Sequence, residues 1–189
     1  PTQLAQAEAR IANKIKVKDF AGYIAYFQAY TNTYADVSYL KQLFSQVLMH
    51  PDILGLSVGT RPDCLEPEKT ALLASLNMQK PIFVELGLQT IHERSALFIR
   101  RGYPLPVFED AVKRLKAAGI PVIVHVILGL PGESKDDMLA TCRYLGSLGI
   151  DGIKLQLLHI LDGTDLAALY KTEISENCNK FSIRSLDEY

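Results

Sequence analysis

The side chains of this 189-residue chain that could do chemistry gather on one face of its apolar segments. Read with the period of two that a strand imposes, residues 82–89 set Phe83, Glu85, Gly87 and Gln89 against Ile82, Val84, Leu86 and Leu88. Residues 53–60 likewise set Gly55, Ser57 and Gly59 against Leu54, Leu56 and Val58. Residues 23–30 place Gln28 and Tyr30 together and lead to Thr31 and Asn32; His125 lies between Ile123 and Ile127; Lys154 and Gln156 share a face. A strand covered by helices on both sides reads as nearly continuous Val, Ile and Leu. Packing these polar groups against helices without partners would cost about 1–3 kcal/mol each. The polar face is therefore expected to line a cavity, where the glycines let a ligand approach the backbone. Carboxylate, imidazole, amide and hydroxyl groups suit a polar ligand held by charge and hydrogen bonds. The three cysteines, Cys64, Cys142 and Cys178, are too few and too scattered for a disulfide framework or a zinc site and are expected to be free thiols.

The elements that must position these groups repeat. Five apolar segments, 23–30, 53–60, 82–89, 122–128 and 153–159, alternate with stretches of helical periodicity. Helices are predicted at about 2–16, 37–49, 66–78, 91–101, 106–118, 135–148 and 164–171. Thr90 with Glu93, and Ser134 with Asp137, each fit a capping box. Gly119 and Gly149 stand at the left-handed position that closes a helix. The order βαβα predicts an α/β fold with a parallel sheet and right-handed crossovers. A full eight-stranded barrel takes about 250 residues, so the expectation is a partial (β/α) barrel or a doubly wound sheet. In both, ligands sit at the carboxyl ends of the strands.

Composition narrows the setting. With 20 basic and 21 acidic residues the formal net charge is -1, which provides no global field to gather nucleic acid or an anionic membrane surface. No apolar run approaches the roughly 18 residues of a membrane span, and a cytoplasmic location is expected.

Three motifs occur in a fixed order. Thr60-Arg61-Pro62-Asp63 follows a strand; Val84-Glu85-Leu86-Gly87-Leu88-Gln89 is followed by Arg100-Arg101-Gly102; Ile127-Leu128-Gly129-Leu130-Pro131-Gly132-Glu133 precedes a helix. Together they resemble the radical S-adenosylmethionine (SAM) superfamily, near the branch of elongator-type tRNA-modifying enzymes and oxygen-independent coproporphyrinogen oxidase. The segment from Tyr26 to Tyr34 resembles a bacterial group of radical SAM proteins of unassigned reaction. The resemblance covers residues 1–172. It implies a [4Fe-4S] cluster held by a Cys-x3-Cys-x2-Cys loop after the first strand, SAM bound to that cluster, and reductive cleavage to a 5′-deoxyadenosyl radical. No such triplet occurs in the sequence. The expectation is thus a core truncated at its N-terminus, with the first strand and cluster loop preceding Pro1 and residues 173–189 forming a tail or the start of a further element. Such a fragment is expected to be inactive alone.

The resemblance also implies a site. Gln89 and Arg101 stand 12 residues apart, the spacing of the SAM-contacting Gln and Arg in the oxidase motif. Arg101 would pair with the SAM carboxylate, for which a guanidinium fork is suited; it can also be read as an exposed helix-end arginine, and Gln89 as a local helix cap. Glu85 would orient Arg101, Lys154 or the cofactor, or form an ion pair inside the barrel. His125 stands where the oxidase has an adenosine-contacting acid, a departure that leaves a hydrogen-bonded core histidine as the other reading. Ile127 would pack on adenine or serve as a core residue. Gln28, Thr31 and Asn32 replace a Gly-rich segment that contacts the SAM amino group. Ser57 and Gly59 stand at a ribose-binding acid, where Ser57 can give one hydrogen bond. His159 is a candidate for facing substrate. Arg94, Arg100, Arg101 and Arg114 either aid an RNA substrate or form a solvated helix surface.

The resemblance further implies an electron donor such as flavodoxin or ferredoxin. Two other readings stay open on the sequence. One is a barrel enzyme of lyase or aldolase type, which would need clustered carboxylate or His ligands at the strand ends. The other is a noncatalytic SAM-binding module that kept the fold.

Overall fold

A computed structural model of the chain describes residues 21–175 together with Gln6 and Ala9. Along it run β1 (Tyr23–Phe27), α1 (Val37–Leu48), β2 (Ile53–Thr60), a 3-10 turn (Pro62–Cys64), α2 (Pro67–Asn77), β3 (Ile82–Gln89), α3 (Glu93–Phe98), α4 (Leu105–Ala117), β4 (Val122–Leu128), α5 (Lys135–Ser147), β5 (Gly152–Leu157) and α6 (Asp165–Ser175). The five strands form one parallel sheet in the order β1-β2-β3-β4-β5. A doubly wound sheet reverses its strand order part-way so that helices cover both faces. This order never reverses, and crossovers of one hand then place the helices on one side. The architecture is a curled α/β half-barrel, with the other face left concave.

The period of two decides what each face carries. Ile82, Val84, Leu86 and Leu88 are fully buried beneath the helices, flanked by Leu56 and Val58 of β2 and by Val122, Val124 and Val126 of β4. Against them α1 packs Leu40, Phe44 and Leu48, spaced at i, i+4 and i+8, while α4 packs Phe108, Ala111, Val112 and Leu115. Phe44 also meets Phe27 of β1 edge to face, with centroids 5.1 Å apart.

The helix signals hold at α5. Ser134 accepts from the Asp137 amide, and the Asp137 carboxylate accepts from the Ser134 amide, a complete capping box. Gly119 and Gly149 take the left-handed φ of 66° and 62° just past α4 and α5. The second predicted box does not form: α3 starts at Glu93 without a side-chain cap, because the Thr90 hydroxyl is already committed to Glu133 and to the His92 amide. That helix also stops short of residue 101, at a left-handed Arg100 with φ 56°. Strand β1 ends at Phe27 instead of residue 30, since the Asn32 side-chain amide takes the Phe27 and Gly59 carbonyls, each at 2.8 Å. Strand β5 ends before residue 159. Helix α6 runs on to Ser175, beyond the predicted helix end at residue 171. Of the predicted helix at 2–16, only Gln6 and Ala9 are described, both helical and exposed; Cys178 lies outside the described residues.

Phe44→Ala should lower unfolding stability by about 3–5 kcal/mol, the usual cost of emptying a buried aromatic position. Tyr39→Ala, on the exposed face of the same helix, should change it by no more than about 0.5 kcal/mol. Urea denaturation of both variants checks this; equal losses would mean that α1 is not seated on the sheet by Phe44.

Candidate functional site

Each strand contributes one polar side chain to a belt across the concave face: Tyr26, Ser57, Glu85, His125 and Lys154. Glu85 is at its centre and only 8% exposed. Its Oε1 accepts from Ser57 Oγ at 2.5 Å, and its Oε2 accepts from Tyr26 OH at 2.8 Å and bonds His125 Nε2 at 2.6 Å. Lys154 Nζ lies 3.6 Å from the same oxygen, donates to Tyr26 OH at 3.1 Å and sits 4.9 Å over the tyrosine ring. Burial alone would push the Glu85 carboxyl up, but three hydrogen bonds and the Lys154 charge outweigh it and hold its pKa down at about 2. An ionised carboxylate can only accept, so His125 Nε2 carries the proton it shares with Glu85. The Lys154 ammonium is in turn held charged, chiefly by its bond to Tyr26.

Toward the carboxyl ends of the strands, Gly59 and Gly87 admit close neighbours where side chains would otherwise stand. A Cβ at Gly59 would stand 3.1 Å from the Phe27 carbonyl, and one at Gly87 would stand 3.0 Å from Gln89 Nε2. The Gln89 amide therefore lies over Gly87. Gln89 is bulged out of register with β4, has a left-handed φ of 71°, and its buried Oε1 has no hydrogen-bond partner. A buried acceptor left empty costs about 1–3 kcal/mol, and a left-handed non-glycine residue also carries strain. The first of these costs would be relieved by a donor placed against Oε1. Beside it, a cleft of about 560 Å3 at the ends of β4 and β5 is lined by Ile127, Gln156 and His159 with three leucines, a volume typical of small-molecule sites.

The remaining predicted residues occupy distinct places. Asn32 ties the ends of β1 and β2 together. Gln28 is exposed beyond β1, and Thr31 is half-buried in the following turn. Arg101 is not an exposed helix-end residue: it is 5% exposed. Its Nε donates to the Tyr103 carbonyl, Nη1 to the Thr90 carbonyl at 2.7 Å, and Nη2 to Glu93 at 3.2 Å. Glu85 thus pairs with Lys154 and His125, while Arg101 takes Glu93. Arg101 and Arg61 both lie over the Tyr103 ring, whose hydroxyl donates to the Gly87 carbonyl. Arg100 pairs with Asp165, Arg114 with Asp110, and Arg94 donates to the Gly132 carbonyl.

Sequence reasoning missed Tyr26, although it shares strand parity with Gln28. It also missed Tyr103 and the Thr90–Glu133 bond, for which no pattern gave a signal. No group of three or more His, Cys, Asp or Glu among the described residues could hold a metal ion. Burial pushes the Cys64 thiol up and so disfavours the thiolate a metal needs. Among the described residues no helix is long and apolar enough to cross a membrane.

Known proteins share sequence and fold with this chain. The model of the radical SAM superfamily matches residues 4–145. The uncharacterized protein YtqA of Bacillus subtilis is 43% identical over 167 residues, 88% of this chain and 50% of that protein. A tRNA uridine(34) acetyltransferase of Methanocaldococcus jannaschii is 30% identical over 122 residues, 62% of this chain and 22% of its own. The structure of an archaeal Methanocaldococcus infernus Elp3 with an N-terminal deletion superposes with a TM-score of 0.79 at 20% identity, over 97% of this chain and 47% of that one. At that identity the likeness is one of fold. The chain spans about half the length of the curated relatives it matches most fully.

The Glu85 carboxyl is held well below its ordinary value of 4.5, so its contribution to stability is present above pH 4.5 and is lost as pH falls toward about 2. Thermal unfolding followed across that window should show less acid sensitivity in Glu85→Gln than in the unsubstituted protein. Identical pH profiles would mean that the belt does not hold Glu85 ionised.

Proposed function

The chain belongs to the radical SAM superfamily, whose fold binds SAM and a [4Fe-4S] cluster, and from that membership we propose that its strand ends form the SAM-binding part of a radical SAM enzyme. The observation that carries this is Gln89. Its empty, buried Oε1 calls for a donor, and SAM offers an ammonium, two ribose hydroxyls and the adenine amino group. Gly87 leaves the place that the Gln89 amide occupies over the β3 backbone.

Around that point the proposed roles follow from position. Ile127 provides an apolar contact for adenine at the mouth of the cleft. Gln28, Thr31 and Asn32 form the rim after β1, where Asn32 also fixes the backbone against β2. Ser57 lies beneath Gly59, with its hydroxyl oriented by Glu85. Glu85 and His125 keep the polar wall in one hydrogen-bonded arrangement and exclude loose water from it. Arg101 presents Nη2 to a carboxylate, and the SAM carboxylate would take the place that Glu93 holds. In this superfamily, bound SAM supplies the 5′-deoxyadenosyl radical. The described residues do not fit the cluster, since no thiolate set is present among them.

The finer reading is a cytoplasmic enzyme of oxidoreductase or transferase type, served by a flavodoxin or ferredoxin, with RNA among its substrate classes. The RNA reading is supported by the likeness to a tRNA-acting acetyltransferase. The helix arginines lend it no help: Arg100 and Arg114 are each paired with an aspartate. Residues 1–172 are proposed as the radical SAM core, with residues 173–189 as a tail or the start of a further element.

Gln89→Leu in the full-length protein should weaken SAM binding about tenfold or more, equivalent to about 1.4 kcal/mol or more, with an unchanged unfolding midpoint. Isothermal titration measures the first and denaturation the second. Unchanged SAM affinity would remove Gln89 from the site. SAM binding without release of 5′-deoxyadenosine from the reduced, cluster-loaded protein would favour a noncatalytic binding module.

A further inference from the structure

The strained conformation of Gln89 needs a cause outside Gln89 itself. A lone glutamine with φ 71° and a partnerless buried carbonyl would relax unless its neighbours fixed the backbone. The next residue, Thr90, is 1% exposed and held from three directions. Its hydroxyl donates to Glu133 Oε1 at 2.6 Å and accepts from the His92 amide at 3.1 Å. Its carbonyl accepts from Arg101 Nη1 at 2.7 Å. Glu133 comes from the loop between β4 and α5 and is itself buried, at 8% exposure. Both hydroxyl functions and the carbonyl of one threonine are thereby used, and the peptide that joins it to Gln89 has little freedom left.

We infer that Glu133 is a positioning residue for the cofactor site: through Thr90, and against Arg101 on the other side, it locks Gln89 in the left-handed conformation that turns its amide over Gly87. The inference rests on the reading of Gln89 as a SAM contact and adds to it the device that aims the contact. It also joins two edges of the site. The loop that ends at Glu133 begins just after Ile127, so whatever shifts that loop shifts the Gln89 amide with it. The side chains of Thr90 and Glu133 need not touch the ligand for this.

The test uses the full-length protein with SAM itself as the probe. Thr90→Val keeps the shape and loses the hydroxyl, and Glu133→Leu loses the acceptor. Each should weaken SAM binding by about tenfold, as loss of a residue that orients a ligating group commonly does. Thr90→Ser and Glu133→Gln keep the bond and should bind close to normally. A general structural role would not distinguish the pairs in this way, nor would it predict coupling: in a Gln89→Leu background, Thr90→Val should cause no further loss. Normal binding by Thr90→Val, or a full further loss in the Gln89→Leu background, would overturn the clamp. Failure of the unsubstituted protein to bind SAM would instead defeat the SAM reading. The clamp would then be judged by hydrogen exchange of the 89–92 amides, which should quicken in Thr90→Val; unchanged exchange would overturn it.

Discussion

An ionised carboxylate inside a curled sheet sets the terms for everything around it. Glu85 occupies the middle strand, where helices on one side and the curl of the sheet on the other remove most of its water. A charge in such a place must be met by donors from nearby, and the sheet meets it with one side chain from each of the other four strands. Ser57 and His125 come from the adjacent strands, while Tyr26 and Lys154 reach in from the edges. The interior is thus polar and satisfied, and toward the strand ends the Gln89 amide lies over Gly87. A ligand entering from the strand ends would meet that amide and a fixed hydrogen-bonded floor.

Much of this was legible in the sequence, for a physical reason. In a parallel sheet with helices on one face, strand parity separates core from cavity, so the alternation in residues 82–89 exposed both the buried Ile82, Val84, Leu86 and Leu88 and the polar Glu85 and Gln89. The Ser134–Asp137 box and the glycines at 119 and 149 are local signals, and local signals survive folding. What parity could not show was pairing. Glu85 could equally have met Arg101 or Lys154, because which cation reaches a carboxylate depends on sheet curl and loop path. The Arg101 side chain turns instead to Thr90, Tyr103 and Glu93. The capping reading at Thr90 failed on the same ground, since a distant glutamate competed for the hydroxyl a helix would have used.

The ends of the elements share another device. Tyr30, Gln89 and Arg100 all take left-handed φ values without being glycine. Each marks a place where a regular element is cut short: the turn after β1, the bulged end of β3, and the end of α3. The conformational cost is met by nearby hydrogen bonds such as those on Asn32 and Thr90.

The bond between Lys154 and Tyr26 links residues 128 apart in the chain, whereas every strand pairs only with its neighbours in sequence order. The sheet can therefore grow by adding each strand to the one before it, at modest loop-closure cost, as the chain leaves the ribosome N-terminus first. The belt cannot close until β5 has arrived. Of the contacts around Glu85, those of Lys154 are thus the last that the chain order supplies.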